Sequence, residues 1–223
     1  PILLPTLLLK DDSGELKATT DTTPIIKRFE NEYPDRKLLP EDPALSFINY
    51  LLEDFGDEWV TKYMFHYRWY FDEDADNASS VLPLTDLAVN MPTDTLKEVK
   101  KYIYDRQHGR LWVVGSNDTT AALIDSSYKR FVKLMDNHLS VSKFLFGEKP
   151  SSADFAIYGQ LTQLINFDPT SRKITYDRSL RLVSWLDIMT DLSGHDVDNS
   201  NWTSLEDSPD SLKEIMKEFG KMY

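Results

Sequence analysis

Twelve residues, Phe-Leu-Phe-Gly-Glu-Lys-Pro-Ser-Ser-Ala-Asp-Phe at positions 144–155, constrain this chain more than any other stretch. Ser151 is placed to accept a backbone N–H from the first turn of a helix. Asp154, three residues on, is placed to reach back to the N–H of Ser151. Together they form a capping box, with Asp where Glu is commoner. Pro150 before the cap and Phe155 after it suit the accompanying apolar staple. Gly147 permits a tight turn just upstream. An ordinary well-capped helix needs the same pattern, so the stretch by itself names no reaction.

Helical spacing dominates the chain from Ala44 onward. Ile48, Leu52, Phe55, Trp59, Tyr63, Tyr67 and Tyr70 step by three or four residues along one face of a long helix, with Gly56 a candidate bend. A second helix is expected within Asp72–Asn90, disturbed at Pro83. Thr93 is read as the cap of a third, carrying Leu96, Val99 and Ile103. Asn117 starts a fourth, with Ala121, Ile124, Tyr128, Phe131, Met135 and Leu139 on one face. The capping box opens a fifth through Phe155, Leu161 and Leu164. Asp177 or Ser179 opens a sixth, with Leu182, Trp185, Leu186 and Met189, closing at Ser193-Gly194. The acidic, polar segment His195–Asp207 reads as a loop. A last helix starts at Ser208 and Pro209 and runs through Leu212, Ile215 and Phe219.

The first twenty residues read differently. Leu7 and Leu9 alternate after Pro5, Asp11-Asp12-Ser13-Gly14 supplies a turn, and Leu16 opens a second strand. A helix follows, with Thr23 as cap, Pro24 first and Ile25, Ile26 and Phe29 on its apolar face. Tyr33-Pro34 ends it. The Pro-rich residues 35–43 read as a linker, dividing residues 1–34 from an all-helical domain over 44–223. A lone hairpin with one helix cannot bury both faces of its sheet, so residues before Pro1 are expected to complete it.

Charge and composition exclude several classes. The net charge of −12 disfavours nucleic acid and anionic membrane surfaces as partners. No apolar run approaches the roughly 20 residues a bilayer-spanning helix needs. The absence of cysteine excludes disulfides and thiolate metal sites and points to a reducing, cytoplasmic setting. Asp72-Glu73-Asp74-Ala75-Asp76 hints at a calcium loop, but Asn77 stands where Gly is needed and Pro83 where Glu is. His66, His108, His138 and His195 lack metal-ligand spacing, and no metal is expected. The sequons at Asn77, Asn117 and Asn201 are taken as chance matches in the absence of a secretory signal.

The run Leu134-Met-Asp-Asn-His-Leu-Ser-Val-Ser-Lys-Phe-Leu-Phe-Gly-Glu-Lys-Pro-Ser-Ser-Ala-Asp154 resembles a segment of the glutathione S-transferase family. There a helix ends in Phe-Leu-x-Gly and the next begins with Pro-Ser/Thr-x-Ala-Asp, as a folding element that is not catalytic. Leu4-Pro5-Thr6-Leu7 is similar to the family's strand that begins at a cis-proline. Asp21-Thr22-Thr23-Pro24-Ile25-Ile26 is similar to its acidic-or-amide residue followed by Ser or Thr at a helix start. The spacing between the two is longer than the family's usual, which a Lys10–Lys17 hairpin would absorb. The implied fold class is α+β, predominantly α: part of a thioredoxin-like domain, then the all-helical domain of soluble, bacterial-type glutathione S-transferases.

The resemblance also implies a site. The backbone of Leu4, held by a cis bond to Pro5, would pair with the cysteinyl part of glutathione. Asp21 would accept from its ammonium, and Thr22 with the helix N–H groups would hold its glutamyl carboxylate. The expected reaction is attack of the glutathione thiolate on an electrophilic small molecule, in a homodimer, with glutathione as co-substrate. The family's thiol-activating Tyr, Ser or Cys lies upstream of everything matched here, so no catalytic residue is assigned. Gly or Pro at that position would favour a non-catalytic binding or scaffold protein, and Cys a glutathione-dependent reductase or lyase. Tyr63, His66, Tyr67 and Tyr70 fall where the family's first long helix borders the electrophile pocket. Core packing is the alternative for each of them.

Overall fold

The computed structural model describes residues 4–195 and 202–221, so the Asn201 sequon and part of the 195–207 loop lie outside the described residues. The architecture is α+β and predominantly α: one two-stranded antiparallel sheet and a series of helices packed about a common core. Strands β1 (Thr6–Lys10) and β2 (Leu16–Thr20) pair with Thr6 opposite Thr20 and Lys10 opposite Leu16. Their turn is made by Asp11, whose Oδ1 accepts from Ser13 N, Ser13 Oγ and Glu15 N at 2.9, 2.6 and 3.1 Å.

Helix α1 (Thr22–Glu32) follows at once. Its cap is Asp21, which accepts from Thr23 N at 3.0 Å, and not Thr23 as the sequence pattern suggested. The carboxylate of Glu30 then holds the start of the linker, accepting from Leu38 N at 2.7 Å and Leu39 N at 3.2 Å.

The long helix expected from Ala44 is a continuous rod with a π-helical segment at its middle: α2 (Pro43–Asp54), the segment Phe55–Val60, and α3 (Thr61–Tyr70). Gly56 lies inside that segment, and a Cβ added there would stand 2.9 Å from the backbone of Ala156 and Ile157. The residue is therefore set by the close approach of another helix as well as by the change of helical register. Helix α4 (Asp72–Asp86) passes through Pro83 and ends within a turn of it. Helix α5 (Thr93–His108) begins at Thr93, after Pro92, so Thr93 is its first residue and not its cap.

Helix α6 (Ala121–Leu139) is preceded by a turn in which Asn117 Oδ1 accepts from Thr119 N and Thr120 N. Helix α7 (Ser152–Asn166) starts at the capping box. Helix α8 (Pro169–Arg178) has no counterpart in the sequence reading. Helix α9 (Leu180–Thr190) is capped by Ser179, which accepts from Leu182 N at 3.0 Å, and α10 (Asp210–Phe219) follows Pro209.

The core gathers Leu52, Phe55, Tyr63, Phe131, Met135, Ile157, Leu161 and Leu186, with Phe55 stacked on Phe219 of α10 at 3.8 Å between ring centroids. A smaller cluster of Trp69, Ala75, Ala78 and Leu111 joins α3 to α4 and the short turn after α5.

Asp154 is fully buried and serves two segments at once. Its Oδ1 accepts from Leu145 N at 2.9 Å, while Oδ2 accepts from Ser151 N and Ser151 Oγ, each at 2.9 Å. Burial pushes its carboxyl up to about 6, against the three hydrogen bonds that pull the other way. Gly147, at φ 108°, makes the turn those bonds hold, and a Cβ there would lie 2.5 Å from Thr203 Oγ1.

Asp154→Ala leaves two buried N–H groups without acceptors and should cost about 3 kcal/mol or more, with Asp154→Asn, which keeps one acceptor oxygen, falling between it and the parent in urea denaturation. Gly56→Ala forces α2 and α7 apart, and the overpacking should outweigh the gain in helix propensity for a net loss of about 1–2 kcal/mol at unchanged denaturant slope.

Candidate functional site: the hairpin end and the aromatic face of α3

The register of the hairpin assembles the first set of candidates. Because Thr6 pairs with Thr20, the residues just before β1 and just after β2 stand side by side at one end of the sheet. Leu4 and Pro5 therefore lie at the same end as Asp21 and Thr22, and the whole Lys10–Lys17 excursion lies at the far end. The Leu4–Pro5 peptide is cis. All four residues are exposed, Leu4 at 87%. They border none of the clefts found among the described residues.

Asp21 is the one non-glycine described residue with positive φ, at 76° with ψ 132°. An L-residue in this region costs about 1–3 kcal/mol and persists where its surroundings hold it there. Here Asp21 is fixed between the last residue of β2 and the N–H of Thr23 that it caps. The same backbone turn opens the N-terminus of α1, where Asp21 takes the Thr23 N–H and Pro24 has none, so the Thr22 N–H is the leading donor left to an anion.

The second set, on α3, is a packed cluster. Tyr63, His66 and Tyr67 are buried and Tyr70 is partly exposed. Each polar group is directed at α6 or the turn before it. Tyr63 Oη lies 2.7 Å from Ser127 Oγ, His66 Nδ1 lies 2.8 Å from Ser116 Oγ, and Tyr67 Oη donates to Asp125 at 2.9 Å. Tyr70 Oη donates to Asp118 at 3.0 Å.

The His66 ring stacks on Tyr70 at 4.8 Å and meets Tyr67 and Phe71 edge-on at 5.3 and 5.5 Å. Its Nε2 has no hydrogen-bond partner. Burial pushes the imidazole down to about 4, so it is neutral at pH 7. Burial likewise raises the Tyr63 and Tyr67 phenols, and Asp125 adds to the effect at Tyr67. None of the four residues borders a described cleft.

Arg68, a cation on the same helix, is committed to structure. It donates to Asp168 through Nε at 2.9 Å and Nη2 at 3.0 Å and to Gln163 at 2.9 Å, with its guanidinium 4.6 Å from the Phe167 ring centroid.

A third grouping carried no sequence signal. Asn49 and Glu53 on α2 are buried and meet Ser152 at the start of α7. Asn49 Nδ2 donates to Ser152 Oγ at 2.8 Å, and Ser152 Oγ donates to Glu53 Oε2 at 2.6 Å. Asn49 Oδ1 accepts from Ala153 N at 3.2 Å, and Thr23 Oγ1 of α1 donates to Glu53 Oε1 at 3.4 Å. One turn of α2 separates Asn49 from Glu53, which signals a shared face, but nothing in the spacing names Ser152 as the partner.

Among the described residues no group of three or more His, Asp or Glu side chains could hold a metal ion, and no helix is long and apolar enough to cross a membrane. Comparison with known proteins returns no matching family model and no matching curated sequence.

His66 makes the fold sensitive to acid. Its folded value lies below the unfolded value near 6.5, so its contribution is present above that pH and is lost as pH falls through about 4. In denaturation series between pH 7 and 4, the parent should lose about 3 kcal/mol relative to His66→Phe, which cannot titrate.

Proposed function

We propose that this chain belongs to a glutathione S-transferase-like protein and that its hairpin end holds the γ-glutamyl and cysteinyl parts of glutathione. The observation that carries this reading is the juxtaposition of Leu4-Pro5 with the strained Asp21-Thr22 turn at the N-terminus of α1. In this reading the Thr22 N–H and hydroxyl take the glutamyl carboxylate, and Asp21 takes the ammonium. The Leu4 backbone pairs with the cysteinyl unit. The capping box at Ser151 and Asp154 supports the accompanying assignment of residues 44–223 to the helical domain of that fold. The reaction proposed is conjugation of the thiolate to an electrophilic small molecule, in a cytoplasmic homodimer.

A second reading, glutathione binding without transfer, holds if the thiol-activating position upstream of the matched residues carries Gly or Pro. The phenols nearest the proposed electrophile region, Tyr63 and Tyr67, are buried and hydrogen-bonded, with their ionisation pushed upward. Neither is suited to stabilising a thiolate.

Isothermal titration of the full-length protein with glutathione tests the common part of both readings. Saturable binding at millimolar ligand or below is expected, and Thr22→Val should weaken it about fivefold, the loss of one hydrogen bond. No heat at millimolar glutathione overturns both, while binding without turnover of an electrophile leaves only the second.

A further inference from the structure

A cleft of about 480 Å³ runs between α1 and α2 and reaches the first turn of α1 at Thr23. Thr23, Ile26 and Lys27, spaced as one face of α1, form one wall. Phe47, Tyr50 and Glu53 of α2 form the other, and Leu39 of the linker lies between them. Phe47 and Tyr50 are 60% and 54% exposed, whereas Glu53 is only 8% exposed. The cleft thus has aromatic walls and a buried carboxylate at its base.

The carboxylate is the informative group. Two hydroxyls, those of Ser152 and Thr23, donate to Glu53. A carboxylate offers about four acceptor positions, and among the described residues no Lys, Arg or His makes an ion pair with this one. The other acid in the wall, Glu41, is paired with Lys37. A carboxylate held by two hydroxyls keeps acceptor positions open, and a cation entering from the cleft can take them as charge-assisted hydrogen bonds. Lys27 puts one positive charge on the α1 wall, while the α2 side gathers carboxylates. The Asp57 carboxyl, one turn further on, is pushed up to about 6 by partial desolvation and by Glu53, Glu58, Asp54 and Asp21. Aromatic faces at the rim attract the same kind of ligand.

We propose that the α1–α2 cleft is a binding site for an organic cation, a primary ammonium on an aromatic or aliphatic body. The ammonium sits at Glu53 and the body lies between Phe47, Tyr50 and Ile26. The site is separate from the hairpin end, and the proposal does not rest on glutathione binding.

Titration with three probes of matched shape tests it: phenethylammonium, the neutral 2-phenylethanol and the anionic 3-phenylpropionate. Phenethylammonium should bind with a Kd of about 1 mM or tighter, and the other two at least about fivefold more weakly. Glu53→Gln, which keeps an acceptor for Ser152, should weaken phenethylammonium about tenfold and leave 2-phenylethanol unchanged. Tyr50→Ala, on the exposed wall, should weaken both aromatic probes without unfolding the chain. Equal affinity for the three probes, an unchanged Kd in Glu53→Gln, or no binding of phenethylammonium at about 10 mM overturns the proposal. Sedimentation of the same samples separates the remaining source of an ammonium: a dimer that Glu53→Gln dissociates places a lysine of a second copy in the cleft and overturns the small-ligand assignment.

Discussion

The carboxylate of Asp154 is the point on which the helical body depends. It is fully buried and accepts from Leu145 on one side and Ser151 on the other, so a single side chain fixes both the 144–147 turn and the first turn of α7. His138 at the end of α6 adds a contact between Nε2 and Phe144 O at 3.1 Å, which ties the turn to the helix before it. Once α7 is aimed this way, its second turn meets Gly56 with no room for a Cβ, and its first residue, Ser152, meets Asn49 and Glu53. Removing the carboxylate would leave buried N–H groups unpaired and also free the direction of the helix against which α2 and α3 pack.

That arrangement explains which parts of the fold could be read from sequence. The capping box is local: its donor and acceptor lie three residues apart, and the residue types suffice to name it. The strands were legible from Leu7, Leu9 and the Asp11–Gly14 turn for the same reason. Helix α8 was not, because its buried face is made of hydroxyls. Ser171 donates to Leu164 O at 2.6 Å, and Thr175 Oγ1 lies 2.7 Å from Tyr128 Oη, so the inward positions at four-residue spacing carry no apolar signal. The caps differ from the expected residues by two positions at α1 and one at α5; at α1, Asp21, Thr22 and Thr23 are all acceptable cap types and backbone φ decides among them.

The candidate sites divide along the same line. Leu4, Pro5, Asp21 and Thr22 are brought together by one strand register, and register follows from a turn that the sequence displays. The side-chain partners of α3 lie 48 to 64 residues away in sequence, and 95 and 100 for Gln163 and Asp168 with Arg68. No spacing rule reaches that far. The aromatic stripe was read correctly as one face of a helix, but only the packed structure shows that its hydroxyls are directed at α6 and that its rings face one another.

Helix α1 is where the hairpin, the linker and the helical body are tied together. Its N-terminus carries the strained Asp21, its first turn reaches Glu53 through Thr23, and its last turn holds the linker through Glu30. Leu38 O then accepts from Ser152 N at 3.1 Å, which closes a loop from α1 through the linker to the start of α7 and back through Glu53. Charge placed at either the hairpin end or the α1–α2 cleft acts on this loop. An anion at the α1 N-terminus complements the helix dipole, and a cation at Glu53 takes the acceptor positions left open on the buried carboxylate at the other side of the same turn. One residue joins the two places: Thr23 N donates to Asp21 and Thr23 Oγ1 donates to Glu53, so the hairpin end and the base of the cleft share the first turn of α1.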